Sequence, residues 1–247
     1  MIIPECYSTP MSLARSEALD SAAACNHLLA ALPPDELGRV AASLELVRCQ
    51  AGMILRGDGE PADRVYFPTT CIAALVYALH DGSTIEHGIV GRDGVVGIAA
   101  FLGGGPMPGR VQTVIDGNAL RMPAPALLAE FRRGATLQRL LLQYAQEVIV
   151  RTSLEAVCRT HHTVEQRLAR LLLQVLDRWS GADLPLTQES LGTLLGVRRE
   201  TVCHATAHLR DQGCIHHERG HVVVLDTAQL RNAACECYWA IASLPGR

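Results

Sequence analysis

The stretch from Leu186 to Leu225, LTQESLGTLLGVRRETVCHATAHLRDQGCIHHERGHVVVL, constrains the fold of this chain more than any other. Its first part reads as a short helix with Thr187 as N-cap, Leu191, Leu194 and Leu195 on one face, and Gly196 at the stop. Gly192 supplies a small side where a second helix must cross. Arg198, Arg199, Glu200 and Thr201 then open that second helix, with Val202, Ala205 and Leu209 facing inward. This is a helix-turn-helix with an arginine-headed second helix. The first residues of such a helix meet base edges in the major groove, so the pattern points to DNA. HHERGHVVVLD follows as a hairpin with Gly220 in its turn, and Thr227 to Ala242 reads as one last helix.

With 247 residues, 49% hydrophobic and 19% charged, two ordinary domains are expected. The longest apolar run, about Cys71 to Leu79, is far short of the roughly 20 residues a membrane helix needs. No basic start followed by an apolar core marks secretion. A soluble, cytoplasmic chain without membrane contact is expected, with its nine scattered cysteines reduced. All 22 basic residues are arginine. The lack of lysine excludes Walker-type phosphate binding and Schiff-base chemistry. No G-x-S-x-G appears either, so no enzyme and no catalytic residue is expected. The net charge of −3 does not advertise nucleic-acid binding. Affinity for DNA must come from arginines placed on one face and from duplication in a dimer.

The rest of the chain divides around this motif. Residues 1–23 lack periodicity and read as a flexible leader. Residues 24–135 form a second unit, beginning with two helical pieces around Pro33-Pro34. From Val47 to Met122 it consists of short apolar runs (GMIL, RVYFP, CIAALVYAL, TIEHGIV, GVVGIAAFL, VQTVI, NALRM) broken by turn residues. This reads as an antiparallel β-roll. Asp-Gly pairs at 58–59, 81–82, 93–94 and 116–117 supply reversals.

Residues 136–160 read as a long helix in which Leu137, Leu141, Tyr144 and Val148 recur at steps of 4, 3 and 4. That seam suits either an intrachain core or a copy of itself, and the two-fold symmetry of DNA sites selects a homodimer. Residues 161–247 are the DNA-binding unit. The fold class is α+β: an N-terminal antiparallel β-roll of jelly-roll type, a long dimerisation helix, and a C-terminal winged helix-turn-helix.

From about Asn26 to Leu230 the chain resembles the Crp/Fnr family of bacterial transcription regulators. The match is strongest in LTQESLGTLLGVRRETV, the following GCI, and RG before VVVLD. The resemblance implies a cyclic-nucleotide-binding-like sensor, a dimer helix and a winged helix-turn-helix on a near-palindromic promoter site, with RNA polymerase as a further partner. It puts Arg199 on guanine O6/N7 and Glu200 on a cytosine amino group. It gives Thr187, Gln188, Arg198, Thr201 and Arg219 to the DNA backbone. His204 departs from the second arginine that many members carry one turn on. It keeps a base-reading position but loses the bidentate fork, so a different base preference is expected.

Members that bind cyclic AMP carry a Gly-Glu pair for the ribose and an arginine within P-R-x-A for the phosphate. Here Gly97 is followed by Ile98, and Arg110 follows Gly109. Gly97, Ile98 and Arg110 therefore mark an effector pocket without the ribose acceptor. Buried ribose hydroxyls left unpaired cost about 1–3 kcal/mol each. No cofactor is expected, cyclic AMP is not the expected effector, and the effector is unknown. The alternatives are a cyclic-nucleotide-responsive regulator and a redox- or metal-sensing one using Cys and His. No metal-ligand set is expected: His204 and His208 share a face, but that face is the DNA face. Cys235 and Cys237, two apart on a helix, should diverge by about 200°. Cys6 and Cys25 alone do not make an iron–sulfur site.

Overall fold

The computed structural model describes residues 10–78 and 84–243. The leader expected over residues 1–23 is helical from Pro10 onward, forming α1 (Pro10–Cys25). Its alanine-rich sequence favours a helix without an apolar period. Its far end is anchored by Ala23, buried with Leu19 and Ala22 beside it. α2 (His27–Ala30) starts at the buried Asn26, whose side-chain oxygen accepts the N–H groups of Leu28 and Leu29. The Asn26 amide nitrogen donates to the carbonyls of Pro68 and Gly94 at 2.9 and 3.0 Å, so one side chain both caps the helix and pins it to two loops. α3 (Pro34–Ala41) opens with proline and acidic residues in its first turn, as expected.

Seven strands follow: β1 (Glu45–Cys49), β2 (Ile54–Arg56), β3 (Arg64–Pro68), β4 (Ile72–Ala78), β5 (Thr84–Val90), β6 (Arg110–Ile115) and β7 (Gly117–Pro123). They pair antiparallel in two sheets, ordered β1-β7-β3 and β2-β6-β4-β5. The run GVVGIAAFL, expected as a strand, contributes only a bridge from Val96 to Tyr66. The chain then turns at Gly97, φ +102°, into α4 (Ala99–Leu102). That left-handed backbone favours glycine, and a Cβ there would stand 3.0 Å from the Val65 side chain. Asp58-Gly59 and Asp93-Gly94 lie in turns, and Asp116-Gly117 reverses the chain between β6 and β7. The Asp81-Gly82 reversal lies outside the described residues.

α5 (Ala124–Phe131) leads to the long helix α6 (Thr136–His161). Its first N–H groups, Thr136 and Leu137, donate to the Glu36 carboxylate of α3 at 3.1 and 3.0 Å. The backbone hydrogen bond from Leu137 holds that carboxyl below its usual range. The apolar stripe of α6 is present, but it faces its own chain. Leu137, Leu141 and Tyr144 are buried in one cluster with Leu29, Phe67 and Leu127, and Val148 packs against the same cluster. The expected seam is therefore core, because periodicity marks an apolar face without saying what covers it. On the opposite side Leu142, Ile149 and Val157 stay 46, 65 and 50% exposed. Among the described residues no helix is long and apolar enough to cross a membrane.

His162 and Thr163 join α6 to α7 (Val164–Leu176), where Thr163 and Gln166 close a capping box. Then come β8 (Asp183–Leu184), α8 (Gln188–Leu195), α9 (Arg199–Asp211), β9 (Ile215–Glu218) and β10 (His221–Val224), with sheet order β8-β10-β9. The single helix expected over Thr227–Ala242 is two, α10 (Thr227–Ala233) and α11 (Cys237–Ala242). Ala234 between them has extended backbone, φ −77° and ψ 153°.

The two units share one core. Ile72, Val76 and Ile115 of the roll cluster with Leu168 and Leu172 of α7 and Leu191 and Leu194 of α8. A charged hub reinforces the junction. Asp93 of the roll takes a bidentate pair from Arg178, just past α7, at 2.9 and 2.6 Å, and a third contact from Arg151 of α6 at 3.1 Å. Arg178 and Asp93 are nearly buried, so the bidentate geometry is what compensates their lost hydration.

Candidate nucleic-acid interface and effector cavity

The helix-turn-helix forms where the sequence places it. Thr187 caps α8 by accepting the Ser190 N–H at 3.0 Å. Gly196 ends α8 in the left-handed region, φ +63° and ψ 42°. Gly192 brings the two helices together, since a Cβ there would lie 3.1 Å from the Val197 carbonyl. Val202, Ala205 and Leu209 of α9 are fully buried. That orientation leaves Arg198, Arg199, Glu200, Thr201 and His204 exposed at the head and first turns of the helix.

Thr187 is exposed beside this head. The wing turn reaches the same edge, because a Cβ on Gly220 would sit 3.7 Å from the Thr187 methyl group. Arg219, exposed in that turn, is thus next to the α8 N-terminus. Gln188 is half-buried and accepts the Cys203 thiol at 3.0 Å. Of the eight residues expected at DNA, Thr187 and the wing turn with Arg219 thus meet at one edge, and Arg198, Arg199, Glu200, Thr201 and His204 are exposed along the head of α9. A cleft lies between this unit and the roll, with Thr84 and Ile85 of β5 facing Gln188, Arg198 and Arg199.

Of the three residues expected at an effector pocket, two line a common cavity. Gly97 and Ile98 border a partly open space of about 70 Å³ between the roll and α6. Arg110 does not. On β6 it alternates with Val111, which faces the cavity, while Arg110 points outward and donates to Gln112 at 3.1 Å. It borders instead a crevice toward Ser190 and Thr193 of α8.

The cavity wall includes residues that the sequence reading did not place there: Arg56, Tyr144, Val148, Arg151 and Thr152. Arg56 donates to the carbonyls of Gly57, Met107 and Gly109 at 3.1, 2.6 and 2.9 Å. Burial pushes the Tyr144 phenol well above its usual range, with Asp93 nearby adding to the shift. The polar break in the α6 stripe after Val148, at Arg151 and Thr152, was the one local signal for this wall. Nothing in the sequence around Arg56 marked it.

Cys235 and Cys237 do not diverge, because they lie at the break between α10 and α11 rather than within one helix. With Cys158 and His162 at the end of α6 they bring four donor atoms within 4.8 Å of one another. The hydrogen bond between Cys158 and Cys235 pulls the Cys235 thiol down to about 6 against the effect of burial, with Arg170 and His162 adding to the pull.

Residues 46–133 match the family described as the cyclic nucleotide-binding domain, and residues 166–233 the Crp-like helix-turn-helix domain. Residues 234–247 lie beyond the second match. Among curated proteins, the CRP-like cAMP-activated global transcriptional regulator of Mycobacterium tuberculosis is 26% identical over 208 residues, covering 81% of this chain and 93% of that protein. Among solved structures, FixK2 from Bradyrhizobium japonicum superposes with a TM-score of 0.68 at 19% identity, over 78% of this chain and 98% of that one. The c-di-GMP responsive global regulator CLP of Xanthomonas campestris gives 0.63 at 17% identity, over 79% and 100%. At those identities the structural matches establish the fold.

Proposed function

Because the chain belongs to the Crp/Fnr family of transcription regulators, we propose that it binds a near-palindromic promoter site as a homodimer, with Arg199, Glu200 and His204 reading bases. Thr187, Gln188, Arg198, Thr201 and Arg219 hold the phosphate backbone. The observation that carries this reading is the exposed, arginine-headed start of α9, from Arg198 to Thr201 with His204, on a helix whose Val202, Ala205 and Leu209 are buried. The heptad line Leu142, Ile149 and Ala156, with Gln146 and Ser153 between, replaces the buried stripe as the surface that meets the partner copy.

The sensor works without cyclic AMP in this proposal. Ile98 offers no acceptor for a ribose, and Arg110 turns away from the cavity. A space of about 70 Å³ is also well below the roughly 300–1,000 Å³ of pockets for drug-sized ligands. A smaller, less polar molecule fits the wall better. The Mycobacterium tuberculosis relative is cAMP-activated by name, so calorimetric titration with cyclic AMP is the direct check. Tight, stoichiometric heat overturns this part.

Selection of sites from random duplexes, followed by anisotropy titration, tests the DNA part. Arg199→Ala should cost about 1–3 kcal/mol on the selected site and relax one base position. Arg219→Ala should weaken all duplexes alike and lower the salt slope by about one. His204→Arg should change the selected half-site. No sequence-selective binding by the wild-type chain refutes the reading.

A further inference from the structure

The end of α6 carries an arrangement that neither domain match covers. Cys158 lies in its last turn, and His162 follows as its C-cap, one turn on along the same face. Cys235 and Cys237 flank Glu236 at the start of α11. The three thiols are 0, 2 and 3% exposed and form a small cluster of their own, apart from the main core.

Two of the separations fit a single tetrahedral ion. Cys158 Sγ and Cys235 Sγ are 3.5 Å apart, and Cys237 Sγ and His162 Nδ1 3.7 Å. Two sulfurs at 2.3 Å from a common Zn²⁺ stand about 3.8 Å apart, and a sulfur and an imidazole nitrogen about 3.6 Å.

The surroundings point the same way. The other ring nitrogen of His162, Nε2, meets Glu236 Oε2 at 3.1 Å. A carboxylate on the far nitrogen fixes the tautomer and the ring plane, as it does for metal-bound histidines. Arg170, nearly buried and paired with Glu155 at 2.6 Å, adds positive charge beside the thiols.

We propose that Cys158, His162, Cys235 and Cys237 bind one Zn²⁺ in a closed Cys₃His site that staples α11 to the joint between α6 and the DNA-binding unit. On binding, the three thiols release their protons to solvent and the neutral imidazole ligates through Nδ1. The bound unit carries one net negative charge, which Arg170 faces. Four protein donors in a buried setting leave no open position, so the site is structural rather than catalytic. Soft thiolates select zinc over magnesium or calcium. An iron–sulfur cluster spreads its thiolates over several irons, whereas all four donors here crowd one point. A Cys158–Cys235 disulfide would leave the Cys237–His162–Glu236 arrangement without a role. α11 packs on both α6 and α7, so the ion would hold the angle at His162 and Thr163.

Purified, reduced full-length chain titrated with Co²⁺ should show thiolate-to-metal charge transfer and strong tetrahedral bands, saturating at one ion per chain and abolished by Zn²⁺. Cys235→Ser with Cys237→Ser should remove the signal. Since that pair could also disturb folding, two further readouts apply. Glu236→Ala, at an exposed position, should weaken retention against a chelator roughly 10–100-fold without changing the circular dichroism spectrum. In the wild-type chain, stripping the ion should speed amide exchange across residues 234–243, and restoring Zn²⁺ should reverse it. Absence of tetrahedral bands in wild-type protein with all thiols reduced, or unaltered retention in Glu236→Ala, overturns the proposal. It stands or falls independently of the DNA readings above.

Discussion

Glu86 offers the most direct probe of how the roll is held against the DNA-binding unit. It lies on β5, 4% exposed, beside Glu155 and Arg159 of α6 and Arg170 of α7, and its Oε1 accepts the Gly88 N–H at 3.1 Å. Burial, with Glu155 adding to it, pushes its carboxyl from 4.5 up to about 8, and the arginines offset only part of that. Between those two values the folded chain holds a proton that the unfolded chain has released. Stability therefore falls as pH rises through that window; it is fully present below 4.5 and has no further slope above about 8. At about 1.36 kcal/mol per unit, the gap corresponds to a loss on the order of 5 kcal/mol. Glu86→Gln keeps the acceptor for Gly88 and removes the charge, so it should abolish this component. Urea denaturation followed by circular dichroism, at steps across the window, measures both proteins. The wild-type midpoint should drop toward alkaline pH while the variant changes much less, leaving the variant the more stable at the alkaline end. Parallel curves for the two proteins refute the reasoning, since they mean that Glu86 titrates alike folded and unfolded.

Four further substitutions probe the packing. Leu141→Ala should cost roughly 2–5 kcal/mol through a core cavity and leave the mass by light scattering unchanged. Ile149→Arg should halve the mass and spare the melting temperature; the converse pattern restores the stripe at Leu141 as the partner seam. Asp93→Ala strands Arg178 and Arg151 in a nearly buried setting and should destabilise by about 3–5 kcal/mol in urea, so an unchanged midpoint would show that the hub adds nothing. Gly196→Ala places a side chain in the left-handed region, at about 1–2 kcal/mol, and sets its Cβ 2.7 Å from Arg159 Nη1. A lowered melting temperature together with weakened DNA binding is expected, and a neutral result would mean that the turn tolerates rearrangement.

The helix-turn-helix was legible because every part of it is local. The cap at Thr187, the stop at Gly196 and the inward Val202, Ala205 and Leu209 lie within a few turns of one another. The same holds for strands such as RVYFP and TIEHGIV, whose bounds coincide with β3 and β5. What was not legible depends on contacts across the chain. The stripe at Leu137, Leu141 and Tyr144 looks alike whether a second copy or the roll covers it. Arg110 sits on the strand expected to border the cavity, but a one-residue alternation aims it outward. The approach of Cys235 to Cys237 is hidden in the sequence because Ala234 breaks the last helix with no glycine or proline to announce it.

These separate features meet on α6. Tyr144, Val148, Arg151 and Thr152 face the cavity, Glu155 and Arg159 surround Glu86 one turn on, and Cys158 and His162 close the helix. Arg151 links the cavity to the charged hub, since it borders the cavity and also shares Asp93 with Arg178 of the DNA-binding unit. A molecule that draws Arg151 toward the cavity takes one of Asp93's partners but leaves the bidentate Arg178 pair in place. The junction would loosen without opening. That suits a coupling of about 1–3 kcal/mol, the usual scale of allosteric linkage. By reciprocity, DNA that favours the loosened junction must raise affinity in the cavity by the same factor. A ligand that fills the cavity without touching Arg151 should leave DNA affinity unchanged, however tightly it binds.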